Sequence, residues 1–175
     1  MGDGQAAGVV GTTWVDAFES TRDFGRLHAL VTSTARALAG ADGATFVVRE
    51  AEQCFYVAED AMSPLWAGQR FPLTECISGW AMIHDEPAVV PDIQADPRVP
   101  MAAYRPTFVQ SLLMVPVPGG AGEAKPMAAI GTYWASHHRP SSDEVETLLR
   151  LAEVTASALE RLGVENAPWA PRLRS

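Results

Sequence analysis

The sequence predicts an α+β domain built on one antiparallel β-sheet, and three observations lead to this prediction. Helical patterns stand near the two ends of the chain, strand patterns stand between them, and a proline-rich segment separates the first strands from the last. Helices that are segregated from strands are typical of α+β domains, in which they cover one face of the sheet. The proline-rich segment would then cover the other face, and such a roof of loops and short helices tends to enclose a small cavity.

The first half of the chain begins with a helix and continues into two strands. From Trp14 the pattern is helical, with a face formed by Leu27, Leu30, Val31, Thr34 and Leu38. Gly40 and Gly43 are stop signals for this helix. The segments ATFVVRE and EQCFYVAE are rich in β-branched and aromatic residues, so they predict two strands joined by a short connection. The next segment, DAMSPLWAG, predicts a short helix with Pro64 in its first turn.

The middle of the chain is interrupted by prolines. Residues Gly79–His84 predict one or two helical turns that begin near Ser78. The segment PAVVPDI predicts a short strand, and its prolines place that strand at an edge of the sheet. The segment DPRVPMAAYRPTF contains three prolines, so we expect it to be irregular or to form a single helical turn.

The last part of the chain predicts two strong strands, VQSLLMVPV and PMAAIGTYWAS, and a final helix. Ser141 and Glu144 form a capping box at the start of this helix. The helix carries two apolar stripes side by side, so we expect it to pack on its own sheet and on a second surface. One stripe is Val145, Leu149, Ala152, Ala156 and Leu159, and the other is Leu148, Leu151, Thr155, Ala158 and Leu162.

Composition and charge exclude several classes of function. The chain has 175 residues, a net charge of −8 and a pI near 4.9, so we do not expect the basic surface that binds nucleic acids. No apolar run approaches the roughly 20 residues that a membrane span needs. The two cysteines, Cys54 and Cys76, lack metal-binding spacing, and a reduced cytoplasmic location is the expectation.

The order and spacing of several segments resemble a GAF domain. These segments are ADGATFVVRE, SPLWAGQRFPLTECISGWAM, PAVVPDIQADPRVPMAAYRPTFVQSLLMVPV and AIGTYWASHHRPSSDEVETLLRLAEVTASALE. The resemblance runs from about Leu27 to Leu162, and it is nearest to the GAF domains of bacterial sensor histidine kinases. We therefore divide the chain into a flexible N-terminus (1–13), a GAF domain (14–162) and a proline-rich tail or linker (163–175).

The resemblance implies a fold, a mode of assembly and a function. GAF domains are related to PAS domains and have a central antiparallel sheet of five or six strands. Their terminal helices cover one face, and short helices and loops form a pocket on the other. They commonly form homodimers through the terminal helices. The resemblance thus implies a sensory domain that binds a small molecule and signals as part of, or partner to, a two-component system, with a histidine kinase or another output domain. Family ligands are diverse, so the ligand stays unknown.

We expect the pocket wall to consist of aromatic side chains and a few polar groups that orient a ligand. In the last strand, alternation places Thr132 and Trp134 on one face and Ala129 and Gly131 on the other. The small pair would let a helix approach, so we assign Thr132 and Trp134 to the pocket. The predicted ligand-binding residues are Trp66, Cys76, Ser78, Trp80, His84, Asp92, Tyr104, Phe108, Ser111, Thr132 and Trp134.

We predict no enzymatic activity. The segment Phe71–Pro100 contains a cysteine, a histidine and several acids, but neither it nor the rest of the chain completes a set of nucleophile, base and orienting group. We interpret it as a pocket wall and lid, and we interpret Cys54 as a structural residue of a strand. Two alternatives stay open. One is a redox enzyme of the free methionine sulfoxide reductase type, which needs several pocket cysteines. The other is a dimerisation module with no ligand.

We expect neither covalent bilin nor haem nor a metal. GAF domains that bind bilin attach it through a cysteine, often followed by histidine, in the region that reads MAAYRPTFVQS here. Thr74 also replaces the acidic residue that precedes a second bilin-linked cysteine, which would be Cys76. His137 and His138 are adjacent, so in a strand they would point to opposite faces. The remaining histidines, His28 and His84, lie in helical segments far apart in the sequence.

Overall fold

The computed structural model describes residues 14–120, 125–163 and 167. These residues form one six-stranded sheet with the strand order β3-β2-β1-β6-β5-β4, and each neighbouring pair is antiparallel. The predicted α+β fold class is therefore confirmed. The predicted flexible N-terminus, residues 1–13, lies outside the described residues, and so does the predicted tail 163–175 except for residues 163 and 167.

The elements follow the predicted order. The strands are β1 (Gly43–Glu50), β2 (Gln53–Ala61), β3 (Arg70–Pro72), β4 (Ala88–Val90), β5 (Ser111–Val117) and β6 (Ala128–Trp134). The helices are α1 (described over residues 14–20), α2 (Phe24–Ala39), α3 (Ile77–His84), α4 (Met101–Tyr104) and α5 (Ser142–Leu162). Two single turns of 3₁₀ helix, Leu73–Glu75 and Ile93–Ala95, flank α3 and β4. The strand predicted between prolines, β4, is at an edge of the sheet as expected.

The long helices α2 and α5 cover one face of the sheet. Together with α1 they enclose a cluster of buried apolar residues that we call the helix-side core, which includes Leu27, Phe46, Leu113, Ile130 and Leu151. On α5 the stripe from Leu148 to Ala158 is buried in this core, whereas three members of the other stripe are only half-buried. These three are Val145, Leu149 and Ala156. The second stripe therefore has apolar surface left over after the sheet is covered.

Local capping explains where the two long helices begin. The Asp23 side chain accepts a hydrogen bond from the Arg26 amide at 2.9 Å and starts α2. The Ser141 hydroxyl accepts one from the Glu144 amide at 3.1 Å and starts α5, as the capping box predicts. The Glu144 carboxylate, however, pairs with His138 Nε2 at 2.7 Å, so it holds the chain that leads into the helix.

The opposite face of the sheet is roofed by α3, α4 and the loops around them. The buried residues on this face form what we call the pocket-side core, which includes Tyr56, Ile77, Met82, Leu112 and Tyr133. The predicted arrangement, with terminal helices on one face and the proline-rich middle on the other, is present. One contact sets the spacing between α3 and the turn that precedes it: a Cβ added at Gly79 in α3 would lie 1.7 Å from the Leu73 carbonyl oxygen. Only glycine allows the helix to come this close to that backbone.

The short helix predicted over DAMSPLWAG is absent. Asp60 and Ala61 complete β2, and residues 62–69 form turns that lead into β3. The Glu59 carboxylate accepts hydrogen bonds from the amides of Leu65, Trp66 and Ala67, at 2.8, 2.8 and 2.7 Å. Because this carboxylate satisfies the backbone donors, the segment needs no helix, and it turns the Trp66 side chain inwards.

The predicted orientation of β6 is wrong. Ala128, Ile130 and Trp134 belong to the helix-side core, whereas Ala129 and Tyr133 belong to the pocket-side core. The glycine in this strand makes room for a ring of its own strand, not for a helix. A Cβ at Gly131 would lie 2.5 Å from the Tyr133 hydroxyl oxygen and 2.8 Å from Met114 Cε. The small residues therefore mark the crowded pocket side.

Candidate functional site

The structure brings six of the predicted site residues to the pocket side of the sheet. Trp66, Cys76 and Tyr104 are buried members of the pocket-side core, and Trp80 and Phe108 pack against it. Ser78 is fully buried in α3, where it contacts Tyr56 from the sheet. These residues come from four separate segments, so only the folded chain unites them.

Three predicted site residues lie on the other face. Trp134 is in the helix-side core, and Thr132 shares its strand face and bonds the Leu113 carbonyl at 3.4 Å. Ser111 donates to the Ser136 carbonyl at 2.7 Å, and alternation along β5 places it on the side of Leu113. These assignments to the pocket were wrong because alternation groups residues by face without saying which face is which.

His84 and Asp92 lie outside the cavity wall. His84 is exposed at the end of α3, stacks on Trp80 at a centroid distance of 4.4 Å and contacts the Trp80 carbonyl through Nδ1 at 2.9 Å. Asp92 caps the 3₁₀ turn at Ile93–Ala95 by accepting from the Gln94 amide at 3.0 Å. Asp92 therefore has a role in a turn, and neither residue lines the cavity.

A small cavity lies between the sheet and its roof. It offers about 10 Å³ for the centre of a water-sized sphere, which is roughly what one water molecule needs. No Asp, Glu, Lys, Arg or His side chain lines it, and most of the lining is aromatic or apolar: Tyr56, Trp66, Phe71, Cys76, Pro100, Ala103 and Tyr104. The sequence singled out Trp66, Cys76 and Tyr104. It missed Tyr56, although alternation along β2 places Tyr56 on the same face as Cys54, and no pattern in the sequence marked Ala103.

Aromatic rings fill most of the space around this cavity. Trp66 lies at its centre, with ring centroids 4.7 Å from Tyr104, 5.6 Å from Tyr56 and 5.4 Å from Tyr133. The Trp66 indole donates to the Ala103 carbonyl at 3.0 Å, which ties β2 and its following turn to α4. The packing of rings from opposite walls explains why the free volume is small.

Three buried tyrosine hydroxyls differ in their hydrogen bonding. Tyr133 shares a hydrogen bond with Thr45 at 2.8 Å, and Tyr56 shares one with Ser78 at 3.2 Å. Among the described residues, the buried hydroxyl of Tyr104 has no hydrogen-bond partner. Burial raises the pKa of all three phenols, so they are neutral groups that can donate as well as accept. The Tyr104 hydroxyl is thus a buried, unsatisfied polar group of a residue that lines the cavity.

The two cysteines of the chain meet beside this cavity. Cys54 Sγ and Cys76 Sγ are 3.1 Å apart, and the Ser78 hydroxyl donates to Cys76 Sγ at 3.3 Å. The hydrogen bond with Cys54 lowers the pKa of Cys76 to about 7 against the opposing effect of burial, and Ser78 adds to the lowering. The hydrogen bond with Cys76 and burial raise the pKa of Cys54. Cys54 belongs to a strand, as predicted, and its side chain lies in the pocket-side core in contact with Cys76.

A second, larger concavity is less suited to a ligand. It is an open groove of about 770 Å³ on the helix side, between α2 and residues 57–60 of β2. It is a broad surface depression and is not roofed, so it would not withdraw a small molecule from water. Within the described ranges, no group of three or more His, Cys, Asp and Glu side chains is placed to hold a metal ion. None of the helices described is both long and apolar enough to cross a membrane.

Comparison with known proteins places this geometry in context. A family model described as a GAF domain matches residues 21–160. No curated protein sequence matches the chain. The fold is similar to that of the GAF domain from Acinetobacter phosphoenolpyruvate-protein phosphotransferase, with a TM-score of 0.75, 14% identity, and coverage of 92% of this chain and 96% of that one.

Two further solved structures carry different names on the same fold. Free methionine-R-sulfoxide reductase from Neisseria meningitidis, in complex with its substrate, gives a TM-score of 0.71 at 17% identity over 86% of both chains. The GAF-B domain of DevS from Mycobacterium smegmatis gives 0.64 at 20% identity, over 79% of this chain and 94% of that one. At these identities the similarity shows the fold alone.

Proposed function

Because the chain belongs to the GAF domain family, we propose that it is a sensory or regulatory domain that binds a small, uncharged molecule at the roofed cavity. In this proposal the domain signals through α2 and α5, as part of or partner to a two-component system with a histidine kinase or another output domain. GAF is a general sensory and ligand-binding fold, so membership in the family supports this class of function but does not identify the ligand.

The observation that carries the proposal is the unpaired hydroxyl of Tyr104. A buried hydroxyl without a partner costs about 1–3 kcal/mol. A ligand that bonds this hydroxyl, once α4 has moved and exposed it, would recover that free energy. Trp66, Tyr56 and Phe71 supply flat apolar surface around it. Because no Asp, Glu, Lys, Arg or His side chain lines the cavity, a charged ligand would lose its hydration with little compensation. The cavity therefore favours a neutral molecule with one polar group and an apolar body.

The size of the cavity adds a condition. With room for about one water molecule, it accepts a larger ligand only if part of its wall moves. The movable part in this proposal is α4, a single helical turn between Pro100 and Pro106 that carries Ala103 and Tyr104. Movement of α4 would also act on Trp66, whose indole is bonded to the Ala103 carbonyl. Binding at the roof would in this way reach the sheet.

We further propose that the domain forms a homodimer through the terminal helices. The half-buried residues Val145, Leu149 and Ala156 line one stripe of α5 beside the buried stripe, and they would pack against the same stripe of a second copy. Sedimentation at high micromolar concentration tests this step. A dimer that dissociates on Leu149→Glu would support it, and a monomeric wild-type protein would contradict it.

Native mass spectrometry of protein purified from its own host tests the ligand proposal. We expect the wild-type protein to retain a small neutral molecule, and Tyr104→Phe to retain at least several-fold less of it. The matched control is Ser111→Ala, which removes a buried hydroxyl on the other face of the sheet. Equal retention by Tyr104→Phe and Ser111→Ala would contradict the assignment of the cavity as the ligand site.

The paired cysteines keep a second candidate open, a redox enzyme of the free methionine sulfoxide reductase type. Against it, free methionine sulfoxide is a zwitterion, and the cavity lining offers no charged group for its ammonium or its carboxylate. We therefore propose that the chain is not an enzyme. Incubation with free methionine sulfoxide and a thiol reductant tests this point. Turnover by the wild type that is lost in Cys76→Ser would establish the enzyme in place of the sensor.

A further inference from the structure

We propose that Cys54 and Cys76 form a redox-active dithiol, which a small hydroperoxide such as hydrogen peroxide converts into an intramolecular disulfide. This site does not depend on the ligand proposed above, because it is defined by the two thiols and not by the Tyr104 hydroxyl. The reaction is a stoichiometric modification of the protein, one disulfide for each chain.

The two sulfurs are already in contact from opposite walls. Cys54 lies on β2 in the sheet, and Cys76 lies in the roof at the residue that precedes α3. Their separation of 3.1 Å must shorten by about 1 Å to reach the length of a disulfide bond. The close packing of Gly79 on the Leu73 backbone holds the turn before Cys76 against α3, and the Leu73 amide donates to the Glu52 carbonyl between β1 and β2 at 2.8 Å. The fold thus keeps together two thiols that are far apart in the sequence.

The two cysteines have different environments, which sets the order of the reaction. Cys76 lines the cavity, whereas Cys54 is fully buried behind it and does not line it. The Ser78 hydroxyl donates a hydrogen bond to Cys76 Sγ and shares a second hydrogen bond with the Tyr56 hydroxyl. The hydrogen bond from Ser78 would stabilise a negative charge on that sulfur. The lowered pKa of Cys76 and the raised pKa of Cys54 agree with this geometry. Cys76 is therefore the attacking thiol and Cys54 the resolving one.

The chemistry is balanced by one molecule of peroxide. The Cys76 thiolate attacks one peroxide oxygen, the O–O bond breaks, and the hydroxide that leaves takes a proton to become water. Cys76 is now a sulfenic acid. Cys54 then attacks the Cys76 sulfur, its proton passes to the departing hydroxide, and a second water leaves as the S–S bond forms. The two thiols lose two electrons and two protons, and the peroxide is reduced to two waters.

The cavity selects the oxidant by size and charge. Its free volume is about that of one water molecule and, apart from Cys76 itself, its lining is uncharged, so hydrogen peroxide can approach Cys76 after a small displacement of the wall. A glutathione disulfide is much larger and carries charges, and it should not reach the sulfur. We therefore expect oxidation by hydrogen peroxide and no mixed disulfide with glutathione.

The first experiment uses the wild-type protein, whose only two cysteines make the stoichiometry clear. After treatment with equimolar hydrogen peroxide and denaturation, we expect both thiols to be lost to alkylation, the intact mass to fall by two hydrogen atoms, and dithiothreitol to restore both thiols. The product should be monomeric on a non-reducing denaturing gel. A disulfide between two chains, a product with one oxidised and one free thiol, or no reaction would each overturn the proposal.

The second experiment separates the roles of the two cysteines. In Cys54→Ala, we expect Cys76 to stop at the sulfenic acid, which dimedone traps as an adduct. In Cys76→Ala, we expect Cys54 to stay reduced under the same conditions. Circular dichroism and thermal melting establish that each variant is folded. A dimedone adduct on Cys54 in Cys76→Ala, at the rate seen for Cys76 in the other variant, would overturn the assigned order.

The third experiment tests the route of the oxidant with a matched pair of neighbouring residues. Ala103 lines the cavity, whereas Ala102 is exposed on the same short helix. We expect Ala103→Leu to fill the free space and slow disulfide formation by hydrogen peroxide at least about tenfold, the factor that 1.4 kcal/mol of added barrier gives. Ala102→Leu should react at the wild-type rate. Equal rates in the two variants would show that peroxide does not reach Cys76 through this cavity.

Discussion

The two faces of the sheet are built from different chemistry. On the helix side, Phe46, Leu113, Ile130 and their neighbours pack against aliphatic residues of α2 and α5. The buried hydroxyls of Thr155, Thr132 and Ser111 on this side bond backbone carbonyls, as Thr155 bonds that of Leu151 at 2.8 Å. On the pocket side, tyrosine and tryptophan rings and two thiols are packed among aliphatic residues, and hydroxyls bond other side chains. The helix side is therefore a layer of packed apolar side chains, whereas the pocket side also contains a network of hydrogen bonds between side chains.

The difference explains why one face can respond to chemistry. A side chain that bonds its own backbone is satisfied in any state in which its helix or strand persists. A chain of side-chain bonds such as Tyr56–Ser78–Cys76–Cys54 crosses from sheet to roof, so it depends on the distance between them. Oxidation of the thiols or binding at Tyr104 would change that distance directly. The helix side would respond only through the strands that the two faces share.

The largest effect that we expect tests how firmly the roof is fixed. Gly79→Ala would place a Cβ 1.7 Å from the Leu73 carbonyl oxygen, and the clash is with backbone, so α3 and the Leu73–Glu75 turn must move apart. We expect a loss of about 3 kcal/mol or more in the free energy of unfolding, at or beyond the upper range for overpacking, measured by urea denaturation.

Gly25→Ala is the matched variant in the helix layer. Gly25 lies in α2, and its added Cβ would meet only the Asp23 side chain at 3.3 Å. The gain in helix propensity opposes a small disturbance of the N-cap, so the free energy of unfolding should change by less than about 1 kcal/mol. Similar losses in the two variants would show that the helix layer is as tightly constrained as the roof.

The next effect compares two tyrosines within the pocket side. Tyr133→Phe removes a hydroxyl that is bonded to Thr45 and leaves the threonine hydroxyl unpaired, so we expect a loss of about 1 kcal/mol in the free energy of unfolding. Tyr104→Phe removes a hydroxyl with no partner in the described chain, and it should leave stability unchanged or raise it slightly. A loss in Tyr104→Phe that equals the loss in Tyr133→Phe would mean that the Tyr104 hydroxyl is satisfied in solution.

The sequence predicted the sheet, the long helices and the roof because these depend on local periodicity and on prolines. It identified Trp66, Cys76 and Tyr104 as pocket residues because they lie in segments that were predicted to cover the pocket side of the sheet. It assigned β6 to the wrong face because strand alternation fixes which residues share a face, while the choice of face depends on what packs there. Gly131 is the example: its space is taken by Tyr133, a residue two positions later. The small residues could have predicted either partner.

The paired cysteines were not predictable from local pattern. Cys54 and Cys76 lie on different elements, and they meet only because β3 pairs with β2 and returns the chain to the start of α3. The strand β3 was itself not predicted, since its three residues form too short a pattern to recognise. The bonds from Glu59 to three backbone amides were missed for a related reason: nothing in the sequence shows that one carboxylate replaces a helical turn.

The smallest effect that we expect concerns the helix side, where the pKa of one half-buried histidine is shifted. His28 on α2 packs near Phe46 with ring centroids 5.5 Å apart, and burial lowers its pKa to about 4, although the nearby Asp23 carboxylate opposes the shift. As the pH falls from 6.5 towards 4, the unfolded chain gains a proton on His28 that the folded chain does not, so the folded state loses stability over this range. Because the side chain is partly exposed, we expect the loss in the free energy of unfolding to be less than about 1 kcal/mol.

Urea denaturation of wild type and His28→Gln from pH 7 to pH 4 isolates this contribution, since the carboxylates are common to both proteins. The wild type should lose stability relative to the variant as the pH falls, and a constant difference between the two would show that His28 is protonated equally in the folded and unfolded chains.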